Sequence, residues 1–294
     1  MKNSIACGYT IPITLFGIPP SPENHLKSIE IVGRAGFREM ELELYDELIP
    51  EHVRDLKKMQ AALNRFGIIV PSVMAVEETM FSMDCSRTLK SVSDFDAISD
   101  LVCALGAPLI TICGYMPPEL RPVGTGLYTG GPPTRIVVND DFSWPFFWDH
   151  AVQLVNRLAE IAKSKGLNLL IETRTNDWFG SVDSIINLID QAGSDNLGVI
   201  LDVAHVHAGK EYLALAVRKL ATLIQLVHLS DNDSTHAYHL PPGKGNIDFQ
   251  ALFHALHIIG YEGTMVIDIS GVENIIEEAI AARDFFSILL EEEK

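Results

Sequence analysis

Two stretches of the chain decide the fold: LGVILDVAHVH, which begins at Leu197, and QLVHLSD, which begins at Gln225. Each opens with a continuous apolar run that lacks the polar alternation of a half-exposed sheet. Runs of this kind are typical of strands buried on both faces, which occur in parallel sheets. The sequence therefore predicts two consecutive parallel strands, over Leu197–Val203 and Ile224–Leu229.

Both predicted strands lead to side chains that bind metals. Asp202 and His205 follow the first run, and His228 lies near the end of the second. Parallel barrel enzymes build their sites at the C-terminal ends of strands, where these residues fall. Taken singly, Asp202 is better interpreted as a helix cap and each histidine as a satisfied core residue. As a set they indicate a site, because several buried ionisable groups without a partner or metal are costly.

The same rhythm of strand and helix recurs about eight times along the chain. Eight such units without a break in composition predict one domain over residues 1–294, an α/β fold of the (β/α)8 TIM-barrel type. The alternative is an open doubly wound sheet, which is disfavoured because no glycine-rich phosphate motif follows the first strand. The predicted strands cover residues 5–10, 38–44, 68–76, 109–115, 167–173, 197–203, 224–229 and 264–269.

The second predicted strand, Arg38–Leu44, alternates strictly between acidic and apolar residues. Because successive side chains of a strand point to opposite faces, the acids would share one face. In a barrel that face points inward, with Glu43 nearest the mouth and available to a substrate. The alternative is an edge strand whose acidic face meets solvent.

Two further acids complete the predicted set at the strand ends. Glu172 ends the fifth strand, LNLLIET, and Asp268 lies near the end of the eighth, MVIDIS. Mixed oxygen and nitrogen ligands suit Mn, Co, Mg, Zn or Fe(II). Arg174 shares the face of Glu172 if the strand continues that far, and there it would contact a substrate.

Loops at the same end of the predicted barrel offer further contacts. Trp178 follows the fifth strand and forms either an apolar wall for a sugar or ordinary packing between loops and helices. One long loop, at about residues 116–143, is rich in Pro and Gly. Loops of this length are usually functional lids or disordered segments. Arg121, Tyr128 and Arg135 would close it over a polar substrate, or the loop is a surface excursion or an oligomer contact.

Composition excludes several classes of protein. Lys and Arg number 22 against 39 Asp and Glu, a net charge of -17, which repels phosphate backbones and argues against nucleic acid as a partner. The four cysteines form no CxxC pair, so neither a disulfide framework nor a zinc ribbon is expected. No long apolar segment suggests a leader or a membrane span, and we expect a cytoplasmic protein with reduced thiols.

Four motifs together resemble the xylose-isomerase-like TIM-barrel superfamily, which includes sugar isomerases and epimerases, inosose dehydratases and AP endonucleases. The resemblance covers nearly the whole chain and rests on IET at Glu172, LDVAH from Asp202, VHLSDND from His228 and HLPPGKGNID from His239. It implies one divalent metal ion, for which we favour Mn, held by Glu172, Asp202, His228 and Asp268. In the ketose epimerases the last ligand is usually Glu, so the shorter Asp268 puts the family's two-glutamate proton shuttle in question.

The resemblance leaves two roles for His205. The matching histidine binds metal in the nucleases and contacts substrate in the epimerases, and we favour the second role. His239 matches a nuclease ligand position, and in an epimerase it would contact substrate. The nucleases also need histidines on earlier strands, and IIVPSVMAV and LITICGY contain none.

Three activities remain at this stage. The first is a metal-dependent isomerase or epimerase of a sugar or keto-polyol, in which Glu172 and Asp268 move a proton beside a carbonyl. The second is a lyase or dehydratase acting on a keto-inositol or 3-keto-glycoside, since the same proton removal can be followed by loss of a β-oxygen. The third is a non-catalytic sugar-binding barrel. The sequence is also compatible with a homo-oligomer.

Overall fold

The protein forms a barrel of eight parallel strands with helices between them. The structure is a computed structural model that describes residues 3–120 and 136–293. The strands are β1 Ile5–Cys7, β2 Leu42–Tyr45, β3 Ser72–Val76, β4 Leu109–Ile112, β5 Asn168–Glu172, β6 Leu197–Asp202, β7 Ile224–Leu229 and β8 Thr264–Ile267. Neighbouring strands pair in the order β1-β8-β7-β6-β5-β4-β3-β2. The predicted TIM-type barrel is confirmed.

The barrel closes between β1 and the residues just before β2. The Cys7 amide donates to the Glu39 carbonyl at 3.0 Å, and the Glu41 amide donates to the Cys7 carbonyl at 2.9 Å. These bonds join the two ends of the sheet, so that no edge in this region is left unpaired. The predicted second strand began at Arg38. The continuous strand begins only at Leu42, because residues 39 and 40 pair as isolated bridges with Ile69 and Cys7.

Ten α-helices surround the strands in the described part of the chain. They are α1 Thr10–Phe16, α2 Pro22–Arg34, α3 Ile49–Phe66, α4 Cys85–Leu105, α5 Trp144–Ser164, α6 Val182–Ala192, α7 Val203–Ala208, α8 Leu213–Leu220, α9 Phe249–Ile258 and α10 Ile275–Glu292. The sequence predicted no helix at α1, where the first strand was expected to continue to Thr10. Instead β1 ends at Cys7, and the Gly8 amide donates to the Ile267 carbonyl at 2.9 Å.

Local signals in the sequence explain where most helices begin and end. Ser21, Asp84, Ser143, Ser181 and Asp248 each accept a backbone N–H of the first turn that follows. Gly67 and Gly106 end α3 and α4 with φ of 62° and 79°, in the left-handed region that glycine adopts without strain. These caps fix the strand-to-helix loops and therefore the side chains at the mouth of the barrel.

The sheet separates two apolar layers. The larger lies between strands and helices and includes Met40, Leu42 and Leu44, whereas the smaller fills the barrel interior and includes Met74 and Leu170. Glu41 and Glu43 alternate with Met40, Leu42 and Leu44 along the chain. Both acids are buried, with exposed fractions of 0% and 3%. The predicted inward orientation of these acids is confirmed, and the interior above the small core is polar.

Candidate metal centre

Four side chains from adjacent strands converge at the C-terminal mouth of the barrel. Glu172 and Asp202 are the last residues of β5 and β6, His228 precedes the last residue of β7, and Asp268 directly follows β8. One atom from each of the four lies within 4.8 Å of the others. The strand register explains this, because Asp202 and His228 are paired directly across the sheet.

The imidazole of His228 lies in the middle of the acids. Its Nδ1 is 3.0 Å from Glu172 Oε1, 3.6 Å from Asp268 Oδ2 and 3.8 Å from Asp202 Oδ2. All four side chains are nearly fully buried. Burial opposes a charge on His228, but Glu41, Asp202 and Glu172 raise the pKa of His228 well above its usual value. The surrounding carboxylates therefore stabilise a positive charge at this position.

Unsatisfied atoms show that the cluster fits a metal ion. Asp202 Oδ2, His228 Nδ1 and both carboxylate oxygens of Asp268 are buried, and none makes an aligned hydrogen bond among the described residues, although Glu172 and His239 approach two of them at ion-pair distance. Orphaned buried polar atoms are costly and rare in native structures. Three carboxylates and one imidazole are the ligands that hard and borderline divalent ions take. A divalent ion at this point would satisfy the unpartnered atoms together.

A fourth acid contacts His228 from its other side. Glu41 approaches His228 Nε2 at 3.2 Å and accepts a 2.5 Å hydrogen bond from the Ser72 hydroxyl. Ligating histidines commonly donate their second N–H to a carboxylate, which fixes the tautomer and turns the other nitrogen toward the metal. Sequence analysis had singled out Glu43 on this strand, and it was the relation between Glu41 and His228 that the sequence did not reveal.

Asp202 combines the two roles that the sequence left open. Its Oδ1 accepts the His205 amide at 2.9 Å and so caps α7, while Oδ2 faces the cluster. A cap requires only one carboxylate oxygen. The helix therefore orients the second oxygen toward the site.

Asp268 is paired with His239, a residue of the long β7–α9 loop. His239 Nδ1 lies 2.9 Å from Asp268 Oδ2 and also 2.9 Å from the Asp268 carbonyl oxygen. Burial opposes a charge on His239, yet Asp268 raises the pKa of His239 to about 9. Pairing with His239 lowers the pKa of Asp268 against the effect of its burial. The short eighth-strand acid therefore has a cationic partner when no metal is bound.

His205 lies beside the cluster and contacts the β5–α6 loop. The Thr175 amide donates to His205 Nδ1 at 3.2 Å, and the Thr175 hydroxyl lies 3.0 Å from the same atom. Burial first, and then the Arg174 charge, lower the pKa of His205 well below its usual value. Its ring packs edge to face with His239 at 5.3 Å between centroids. Atoms of Asp202, His205 and His239 form a second group within 4.8 Å of one another.

Arg174 extends from the same loop toward Glu172. Its guanidinium stacks over the Tyr115 ring at 5.0 Å, and its Nε lies 3.9 Å from Glu172 Oε2. That long contact is its only ion pair in the described residues. Cys113 also contacts Glu172, with Sγ 3.1 Å from Oε2. A mostly buried guanidinium with one long ion pair is well suited to bind an oxygen-rich ligand.

The remaining two predicted contact residues occupy different environments. Burial raises the pKa of Glu43 to about 8, with smaller contributions from Glu172, Glu41 and Arg174, so Glu43 is an interior acid near the cluster. Trp178 is only 6% exposed and packs edge to face with Phe81 and Phe179 at 5.1 and 4.7 Å. The structure thus places Trp178 in the layer between barrel and helices, as the packing alternative held.

The motif HLSDND followed by GKGNID has a structural cause that the sequence did not disclose. Asp231 Oδ2 accepts the amides of Gly243 and Gly245 at 2.8 and 2.9 Å, and Oδ1 accepts the Ile247 amide at 3.1 Å. A Cβ at Gly245 would lie 2.3 Å from the Asn232 carbonyl oxygen, so only glycine fits there. Asp231 therefore folds the loop that carries His239 onto the site.

Some predictions fall outside the described residues or concern other classes of protein. Arg121, Tyr128 and Arg135 of the predicted lid lie outside the described residues. All four cysteines are described, and none is in a disulfide. Across residues 3–120 and 136–293, no helix has the length and apolar character needed to cross a bilayer.

The barrel and its cluster define a class that comparison with known proteins identifies. The family described as xylose isomerase-like TIM barrel matches residues 29–286, and the chain belongs to this family. Among curated proteins, it is 23% identical to an inosose dehydratase of Geobacillus thermodenitrificans over 256 residues, 80% of this chain and 81% of that one. It is 34% identical to an L-ribulose 3-epimerase of Mesorhizobium japonicum, but over only 39% of this chain and 38% of the other.

Solved structures agree on the fold. A D-allulose 3-epimerase from Methylomonas sp. superposes with a TM-score of 0.76 at 20% identity, covering 98% of each chain. A 3-keto-D-glucoside 4-epimerase from E. coli superposes with a TM-score of 0.73 at 20% identity, covering 98% of this chain and 99% of the other. At this identity the likeness establishes the architecture, and the activity must be argued from the site.

Proposed function

We propose that the protein is a divalent-metal-dependent isomerase or epimerase that acts on a sugar or keto-polyol by proton transfer beside a carbonyl. The buried, unsatisfied cluster of Glu172, Asp202, His228 and Asp268 at the barrel mouth carries this proposal. Relatives that are named as ketose 3-epimerases and inosose dehydratases support the substrate class.

The four clustered residues would hold one ion. Three of them are carboxylates, which favours Mn among the ions that also accept imidazole. When bound, the ion would polarise a substrate carbonyl and the adjacent hydroxyl oxygen. Glu41 and Ser72 would keep His228 oriented toward it.

Two acids would move the proton. Glu172 and Asp268 come from strands on either side of β6 and β7, and a substrate between them would expose opposite faces of one carbon to the two carboxylates. Glu172 would remove the proton, and Asp268 would deliver to the other face a proton that it takes from the cationic His239, 2.9 Å away. Asp268 is shorter than glutamate, so its reach depends on how closely the substrate sits to β8.

Other side chains would bind the substrate. Arg174 would donate to substrate oxygens, because its side chain is mostly buried and makes one long ion pair in the described residues. His205, His239 and Glu43 surround the same space and would contact hydroxyl groups. For Trp178, the buried position favours a supporting role behind the site.

A dehydratase acting on a keto-inositol or 3-keto-glycoside is the second candidate. One observation favours it: the similarity to an inosose dehydratase extends over 80% of this chain, compared with 39% for the L-ribulose 3-epimerase. Glu172 would remove the same proton, and His239, held by Asp268, would protonate the departing oxygen.

One experiment separates these activities. Metal-free protein and protein loaded with Mn²⁺ are incubated in D2O with D-allulose, D-fructose, L-ribulose, a 3-keto-glucoside and a keto-inositol, and the products are followed by NMR. We expect metal-dependent conversion of at least one compound, with deuterium on the carbon beside the carbonyl. An epimer supports the first candidate and an unsaturated or dicarbonyl product the second. Tight sugar binding without any conversion would instead support a non-catalytic barrel.

A further inference from the structure

The second group of potential ligands, Asp202, His205 and His239, has the dimensions of another metal site. One atom from each lies within 4.8 Å of the others, and Asp202 belongs to both groups. Distances between heavy atoms do not decide whether a histidine can bind a cation. The binding nitrogen must also be free of its proton.

The hydrogen bonds of Thr175 decide this point for His205. A backbone amide nitrogen can only donate, and the Thr175 amide points at His205 Nδ1 from 3.2 Å. His205 Nδ1 is therefore the acceptor and carries no proton. The Thr175 hydroxyl, 3.0 Å from Nδ1, donates to the same atom. The proton of the neutral imidazole must then reside on Nε2.

Both partners of this hydrogen bond are held by other elements. His205 is in the first turn of α7, and its amide donates to the capping Asp202 at 2.9 Å. The loop that carries Thr175 is attached to the end of β4, where the Gly114 amide donates to Asp177 Oδ2 at 2.8 Å. A Cβ at Gly114 would lie 2.0 Å from the Phe179 ring, so this close approach needs glycine. The hydrogen bond between Thr175 and His205 is therefore held in place from both sides, by the cap of α7 and by the end of β4.

We propose that Thr175 is a positioning residue that locks His205 in the Nε2–H tautomer, so that Nε2 can only donate a hydrogen bond and cannot bind a second metal ion. Binding a cation through Nε2 would require the proton to move to Nδ1, where it would face the Thr175 amide N–H. This change of tautomer would break the hydrogen bond from the Thr175 amide to His205 Nδ1. Two N–H donors would then point at each other. The group of Asp202, His205 and His239 consequently remains without a metal of its own.

The lock also defines the chemistry of the ligand atom. Nε2–H and the nearby Arg174 guanidinium have donors only, so they select an oxygen that presents lone pairs, such as a carbonyl or carboxylate oxygen. This part rests on the proposed function, since it assumes an oxygen-rich substrate. The tautomer and the number of metal ions do not.

Nitrogen-15 NMR of the histidine rings tests the tautomer directly. Protein labelled at histidine is studied free of metal and again with Zn²⁺, and the His205 signals are identified by their loss in His205→Gln. We expect a His205 Nδ1 shift typical of an unprotonated ring nitrogen and a Nε2 shift typical of a protonated one, in both samples. A proton on Nδ1, or a large shift of His205 Nε2 on adding Zn²⁺, would overturn the proposal.

A matched pair of variants at Thr175 isolates the backbone donor. Thr175→Val removes the hydroxyl and keeps the amide N–H, whereas Thr175→Pro removes the N–H as well. We expect the Nε2–H tautomer to persist in Thr175→Val, and a mixture of tautomers in Thr175→Pro. If Thr175→Pro does not fold, as judged by circular dichroism, the wild-type and Thr175→Val spectra still decide the question.

Cadmium titration measures the number of metal ions. We expect one Cd²⁺ per wild-type chain by elemental analysis after dialysis, with no second ion that perturbs His205. Two ions per chain, with His205 affected, would contradict the proposal. Absence of any bound ion would contradict the proposed function instead, and the tautomer result would stand on its own.

Discussion

Glu41 and Glu172 contact opposite nitrogens of the same imidazole: Glu41 lies 3.2 Å from His228 Nε2, and Glu172 lies 3.0 Å from Nδ1. Glu41 directly precedes β2, and Glu172 is the last residue of β5, on a different side of the barrel. Their shared contact fixes the His228 ring across the interior. The tilt of this ring, and with it the direction of Nδ1, therefore depends on Glu41.

Glu41→Gln should weaken metal binding without unfolding the protein. An amide is a poorer acceptor than a carboxylate, and loss of such an outer partner commonly reduces metal affinity by about 10- to 100-fold. The measurement is titration of metal-free protein with Mn²⁺ by calorimetry. Glu39→Gln is the matched control, because Glu39 is on the same strand segment but bonds to Ser4 and Thr264. Equal affinities for Glu41→Gln and the control would refute this role.

His228→Ala should reduce metal affinity more than His205→Ala does. His228 Nδ1 lies among three carboxylates, whereas His205 Nδ1 is occupied by Thr175. Metal titration of both variants, with the shift in melting temperature on adding Mn²⁺, provides the comparison. If His205→Ala empties the site and His228→Ala does not, the ligand assignment is reversed.

Glu172→Gln and Asp268→Asn should each slow turnover of a true substrate by at least about a hundredfold, the usual scale for a lost general base. In D2O the wild-type product should carry deuterium on the carbon beside the carbonyl. Metal content of each variant is measured in parallel, so that loss of the ion is distinguished from loss of the base. Intact turnover in Asp268→Asn, with none in Glu172→Gln, would reduce Asp268 to a structural role.

His25 should make the protein less stable below neutral pH. Its Nδ1 lies 3.0 Å from His52 Nε2 between α2 and α3, and burial, followed by repulsion from His52, lowers the pKa of His25 from 6.5 to about 3. In the unfolded chain His25 takes up a proton below pH 6.5, whereas in the folded state it does not until about pH 3. Stability is therefore present above pH 6.5 and falls between these two values, with a limiting slope of about 1.4 kcal/mol per pH unit.

Urea unfolding at several pH values between 7.5 and 4.5, taken as roughly the window in which one unshifted histidine titrates, checks this linkage. His25→Gln should flatten the dependence of the unfolding free energy on pH. His257→Gln, on an exposed face of α9, should leave it unchanged. The same slope in wild-type protein and His25→Gln would mean that other groups control acid stability.

Metal-loaded protein should not nick a duplex that contains an abasic site at physiological salt. The net charge of -17 opposes approach to a phosphate backbone. Met74 of β3 and Cys113, which follows β4, face the barrel interior, and neither of these two strand segments contains a histidine. Nicking that is abolished by Glu172→Gln would contradict this prediction.

The order and type of most elements followed from local sequence. Continuous apolar runs predicted β6 and β7, and alternation predicted which face of the β2 segment turns inward. These features depend on residues near one another in the chain, and so the eight-unit pattern and the three acids and one imidazole at consecutive strand ends could be predicted from sequence alone. The ends of strands and helices were harder to predict. For example, β1 ends at Cys7 because the Gly8 amide donates to the carbonyl of Ile267, which is distant in sequence.

Only the tertiary structure shows which of several side chains of the same chemical type contacts the site. Glu41 and Glu43 share a strand face, yet barrel closure and register bring Glu41 to His228, 187 positions away. Asp202 is a helix cap and a cluster member together because its two oxygens face different partners. Whether His205 accepts or donates depends on a Thr175 amide from another loop. Such distinctions depend on distance and hydrogen-bond direction between remote segments, which the linear order of residues does not encode.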